Sequence, residues 1–137
     1  DLIISEVAIG KEDRACVRLE ERVRAIELAG HTRPWLRIVV TELQLVSDMA
    51  ERYDVVIVGA DKWAQLQDPA YHPSPEAHAE ALAKLPTPLV VPRPPWAAPD
   101  EHRLDVPAHL TEVSATAVRE GRTDWMAPEA REIGAWD

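Results

Sequence analysis

Residues 54–59 read Asp-Val-Val-Ile-Val-Gly, a continuous run of β-branched apolar side chains closed by a glycine. Val, Ile and their kind suit the pleated backbone of a strand, and a run this short between polar neighbours is one strand long. With no polar alternation it is expected to be buried on both faces, as the strands of parallel sheets are. Parallel neighbours need long crossover connections, usually helical, so this one segment points to an α/β chain.

The flanking sequence fits that expectation. Leu2 to Val7 reads as a first strand, Gly10-Lys11-Glu12-Asp13 as a polar turn, and Arg14 to Ala29 as a helix with Gly30 as its stop. Trp35 to Val40 is a second strand and Leu45 to Tyr53 a short helix. After Gly59, a helix is expected to start at Asp61, with Asp61 placed to cap it. Glu76 to Leu85 reads as a helix and Leu89 to Val91 as a strand. The proline-rich Pro92 to Pro99 reads as a stiff surface loop, with a domain boundary as the rival explanation. Arg103 to Val106 reads as a short strand, Ser114 to Glu120 as a helix, and Pro128 to Ala135 as a last helix with proline in its first turn. A single domain over residues 1–137 is expected.

Charge and cysteine content narrow the function. The 15 Lys and Arg against 24 Asp and Glu leave a net charge of −9, with no basic run. That argues against nucleic acid or an anionic membrane as partner, since both require clustered cations. No apolar stretch approaches the ~20 residues a membrane helix needs, so the chain reads as soluble. Cys16 is the single cysteine, which excludes an internal disulfide and a multi-thiolate zinc site. With no asparagine there is no N-glycosylation acceptor, and a cytoplasmic location is the economical reading. His72, His78, His102 and His109 share no metal-ligand spacing.

Two segments carry candidate chemistry. Val58-Gly59-Ala60-Asp61 runs from a strand into a helix start. Small residues at the carboxyl end of a strand let a ligand approach the backbone, and Asp61 can accept hydrogen bonds from ribose hydroxyls, serve as a helix cap, or do both. Ser114-Ala115-Thr116-Ala117-Val118-Arg119 places two hydroxyls and a guanidinium at the start of a short helix, a pattern that suits phosphate but, taken alone, more often marks an ordinary serine cap beside a solvated Arg119.

Together, in this order, the Val-Gly-Ala-Asp and Val-Ser-Ala-Thr-Ala-Val-Arg segments resemble the nucleotidyltransferase superfamily. The likeness is to its nicotinate and nicotinamide mononucleotide adenylyltransferases, which carry Gly-(Ser/Ala)-Asp after a central strand and a late Ile-Ser-Ser-Thr-x-x-Arg. Glu21 to Ala29 resembles the family's Arg-bearing helix, and Trp125-Met126-Ala127-Pro128 its closing turn. The resemblance implies a Rossmann-like parallel sheet with helices on both faces. It implies adenylyl transfer from ATP, assisted by Mg²⁺, to a mononucleotide or similar phosphorylated small molecule, with pyrophosphate released.

By the same resemblance Gly59, Ala60 and Asp61 hold the nucleotide, and Ser114, Thr116 and Arg119 its β- and γ-phosphates, with Thr116 and Arg119 as the catalytic groups. Lys11, Arg22, Trp63 and Tyr71 fall on the substrate side. For three of them a plainer role competes, Lys11 in a solvated turn, Arg22 paired with a helix-surface Glu and Trp63 in the core, while Tyr71 suits a pocket wall. Trp96 suits a lid or an exposed contact. Ala115 replaces the second serine of the motif, and no His-x-Gly-His is present; His31 does not replace it and reads as a surface loop residue. The resemblance puts that motif and a central strand before Leu2, so a preceding segment is expected, and a further loop near Leu45. Cytidylyl transfer, a nucleotide-binding regulatory module without catalysis, and a flavodoxin-like binding protein are the alternatives. A homo-oligomer is left open.

Overall fold

A computed structural model of the chain describes residues 1–6 and 18–134. Helices and strands are mixed, and the strands form two small parallel sheets, an α/β arrangement. The chain divides into two compact units, residues 1–44 with 114–137 and residues 45–113.

In the first unit β1 (Leu2–Ser5) pairs in parallel with β2 (Ile38–Thr41), Leu2 opposite Ile38 and Ser5 opposite Thr41. The crossover between them contains α1 (Leu19–Thr32). It begins at Leu19, later than the expected Arg14: the Glu21 carboxylate accepts the backbone N–H of the cap residue Arg18 at 3.3 Å, and Glu20 and Glu21 complement the positive end of the helix. Its end differs from expectation. Gly30 lies inside the helix, which runs on to Thr32 and stops where Arg33 precedes Pro34, a position that disfavours helical backbone. Gly30 serves a close approach instead, because a Cβ there would stand 3.3 Å from the Leu36 carbonyl oxygen.

Pro34 and Trp35 form a turn, so the second strand starts at Ile38 rather than at Trp35, and Trp35 is exposed. Two short helices close this unit, α5 (Ala115–Arg119) and α6 (Pro128–Glu132), the latter opened by proline in its first turn. Helix α6 packs on α1, and an ion pair between Arg33 and Glu129 at 2.5 Å ties them. His31 sits in the last turn of α1, exposed, and not in a loop.

The second unit begins with α2 (Val46–Ala50), shorter than the apolar pattern suggested because a turn closed by Tyr53 N–H to the Ala50 carbonyl follows at once. Next come β3 (Val55–Gly59), α3 (Ala60–Gln67), α4 (Pro75–Lys84) and β4 (Thr87–Val91). Strands β3 and β4 are parallel, with Val55 opposite Thr87 and Gly59 opposite Val91. Ser74 caps α4 by accepting the Ala77 N–H at 3.1 Å. The core joins Val58, Ala60, Val90 and Ala98, with Val46, Val56 and Trp63 packed against it.

The expectation that residues 55–58 are buried on both faces is corrected. Val55 is 46% and Ile57 61% exposed, whereas Val58 belongs to the core. Among the described residues β3 is hydrogen-bonded to β4 alone, and the strand's alternation sends Val56 and Val58 to the packed face and Val55 and Ile57 away from it.

The proline-rich loop is more anchored than a surface loop. Arg93 and Trp96 exchange backbone hydrogen bonds of 3.1 and 2.7 Å across Pro94-Pro95, joined by a cis peptide bond. Ala98 is buried in the core, and its carbonyl accepts from the Arg103 guanidinium at 3.2 Å. The expected strand from Arg103 reduces to a single bridge, in which the Leu104 N–H reaches the Val90 carbonyl at 2.9 Å.

Candidate functional site

At the carboxyl end of β3 the chain turns directly from strand to helix. Gly59 keeps an extended conformation (φ −71°, ψ 153°) and occupies the N-cap position, so α3 begins at Ala60. Asp61 therefore stands in the first turn and is not the cap, which corrects the expectation. Its side chain folds back over Gly59: a Cβ at residue 59 would lie 2.5 Å from Asp61 Oδ1. Ala60 points into the core, which leaves the exposed Asp61 carboxylate as the hydrogen-bonding group of this turn.

Strand register brings a further residue to the same turn. Because Gly59 lies opposite Val91, the chain two residues beyond β4 reaches back over it, and Arg93 Cδ lies 3.9 Å from the same Cβ position. The half-buried Arg93 escaped the sequence reading. Its signal was positional, a cation just past the end of a parallel strand, where ligands of α/β sheets bind.

Trp63 packs against the core and meets His102 edge-on, ring centroids 5.4 Å apart. Tyr71 is exposed in the 3-10 turn Pro69–Tyr71, which Asp68 caps by accepting the Ala70 N–H at 2.9 Å. That turn follows the far end of α3, about 9 Å of helix from Asp61, so Tyr71 and Asp61 mark opposite ends of the helix. Beside it, His78 Nε2 donates to the Leu66 carbonyl at 3.0 Å and its ring lies 4.9 Å from that of His72.

In the other unit, Ser114 caps α5: its Oγ accepts the Ala117 N–H at 3.1 Å. Arg119 Nη2 donates to Thr116 Oγ1 at 3.1 Å, one helical turn back, so the hydroxyl and the guanidinium share a face. The helix is pinned by the buried Val118, and Arg119 is exposed to solvent. Arg22, on α1, lines a cavity of about 390 Å³ with Ile4, Ile26, Ala130 and Glu129. Among the described residues Arg22 makes no ion pair, while Glu129 is held by Arg33, whose hydrogen bond keeps that carboxyl below the usual glutamate range. Lys11 lies outside the described residues.

Among the described residues no three His, Cys, Asp or Glu side chains converge as a metal site. No helix among them is long and apolar enough to cross a membrane. Compared with protein families, with characterised proteins and with solved structures, the chain gives no significant match.

Proposed function

We propose that this chain is a Rossmann-like nucleotidyltransferase that transfers an adenylyl group from ATP to a mononucleotide or similar phosphorylated small molecule. The observation that carries the reading is the strand-to-helix turn at Gly59-Ala60-Asp61, where a carboxylate lies over a glycine at the carboxyl end of a parallel strand. A ligand hydroxyl can reach that carboxylate with no side chain at residue 59 in its way. The Ser114, Thr116 and Arg119 group supports it from its own unit, with two hydroxyls and a cation on one short helix.

In this reading Ser114, Thr116 and Arg119 bind the β- and γ-phosphates of ATP. Asp61, in its own unit, accepts the ribose hydroxyls of a nucleotide. A phosphate oxygen of the acceptor attacks the α-phosphorus, the bond from that phosphorus to the oxygen bridging to the β-phosphorus breaks, and pyrophosphate departs with the electron pair. Arg119, steadied by Thr116, stabilises the charge that grows on the departing group. No covalent enzyme intermediate is needed, so the protein's work is positioning and charge stabilisation. Mg²⁺ arriving with ATP would neutralise phosphate charge.

The test is pyrophosphate release from ATP and from CTP in the presence of a panel of mononucleotides. Release that requires both a nucleoside triphosphate and a phosphorylated acceptor supports transfer, and the preferred triphosphate names the group moved. Absence of release with every pair refutes it.

A further inference from the structure

Gly59 has two oppositely charged neighbours that do not pair with each other. Asp61 Oδ1 and Arg93 Cδ both approach the position a Cβ on residue 59 would take, at 2.5 and 3.9 Å. Other arginines among the described residues are paired: Arg33 with Glu129, Arg37 with Asp1, Arg103 with Asp100 and Arg122 with Asp124. Among the described residues neither Asp61 nor Arg93 makes an ion pair or a side-chain hydrogen bond. Arg93 is half-buried as a residue, its stem lying beside Gly59, and its guanidinium is left with donors for an incoming acceptor.

The loop that carries Arg93 holds it in place. Its backbone N–H and carbonyl are both bonded to Trp96, and Ala98 anchors the far side of the loop in the core. The neighbouring Arg103 is already committed, to the Ala98 carbonyl and the Asp100 carboxylate. Arg93 is thus the arginine of this loop whose donors are open to a ligand.

We infer that Arg93 and Asp61 form a two-charge clamp across Gly59 for a ribonucleoside phosphate, Asp61 taking the vicinal hydroxyls and Arg93 the phosphate of the same molecule. A ligand with hydroxyl donors alone satisfies Asp61 and leaves Arg93 unmatched. One with an anionic group alone does the reverse and meets the Asp61 charge. A nucleoside phosphate presents both, and the planar guanidinium suits bidentate capture of its oxygens. The inference rests on the ribose role proposed for Asp61 and adds to it the residue that reads the phosphate.

The experiment is calorimetric titration of the whole chain with AMP and with adenosine, which differ only in the phosphate. Wild type, Arg93→Ala, Arg93→Lys and Asp61→Asn are compared, with circular dichroism confirming that each is folded. Wild type is expected to prefer AMP by about 10- to 100-fold, the worth of a charge-assisted contact. Arg93→Ala brings AMP down to the adenosine level and leaves adenosine unchanged. Arg93→Lys restores part of the preference, having charge without the planar fork. An AMP preference that survives in folded Arg93→Ala, or a wild type without one, overturns the clamp. Adenosine affinity unchanged by Asp61→Asn instead refutes the ribose role, a separate failure. A wild type that binds neither compound refutes both.

Discussion

The Asp61 carboxylate occupies the space that a side chain on residue 59 would need, with Oδ1 2.5 Å from the Cβ position above Gly59. Gly59 itself has ordinary extended dihedrals, so alanine fits its backbone without strain. The Gly59→Ala protein is therefore expected to fold, with a stability change within about 1 kcal/mol, because the obstacle is the movable end of a side chain. What changes is where Asp61 points. Nucleoside binding measured by calorimetry should fall while the urea midpoint stays near that of wild type.

Ser114 has two separable jobs in this account. Its Oγ caps α5 through the Ala117 N–H, and Ser114→Ala should cost about 0.5–2 kcal/mol of stability in chemical denaturation. Ser114→Asp retains a good capping oxygen and so keeps most of that stability. It adds a negative charge at the proposed triphosphate position, and ATP affinity should drop below that of Ser114→Ala. Equal ATP affinity in the two variants would remove Ser114 from the phosphate site.

Glu129 links pH to the first unit. The hydrogen bond from Arg33 lowers its pKa in the folded chain. A carboxyl whose folded value lies below its unfolded one contributes stability above the unfolded value and loses it as pH falls through the folded one. Glu129→Gln should therefore be less stable than wild type at neutral pH. The gap should close in acid, below the usual glutamate range. Denaturation curves of both proteins at pH 7 and pH 3 check this, and a gap that persists at pH 3 would assign the effect to packing.

The two ends of the burial scale in the β3 and β4 sheet give a paired prediction. Val90 is 0% exposed in the core, and Val90→Ala should cost about 2 kcal/mol from lost methyl burial and the space left behind. Ile57 is 61% exposed, and Ile57→Thr should stay within about 0.5 kcal/mol of wild type. Thermal unfolding of the two variants, run side by side, ranks them.

Those two residues also show what the sequence discloses and what it withholds. Strands β1, β3 and β4 and helices α4 and α5 were legible as apolar runs and capped periodic segments, since local pattern and turn chemistry decide them. Ile57 looked like core because its neighbours are apolar, but burial depends on what packs against a face, and alternation along β3 alone does not reveal that. Gly30 looked like a helix stop, yet its reason is the Leu36 carbonyl, which only the turn at Pro34 brings near. The Gly-Ala-Asp turn was readable because strand, glycine and acid are contiguous. Arg93 was not, since it reaches Gly59 through the register of a different strand. The proline-rich loop hid its anchor at Ala98 for the same reason.

The most direct test of the central claim is calorimetric titration of the chain with ATP in the presence of Mg²⁺, wild type against Arg119→Ala. The account predicts that wild type binds ATP and that folded Arg119→Ala binds it about 1.5–3 kcal/mol more weakly, the worth of a charge-assisted contact to the triphosphate. ATP affinity that is the same in both proteins, or no ATP binding by wild type, would contradict it.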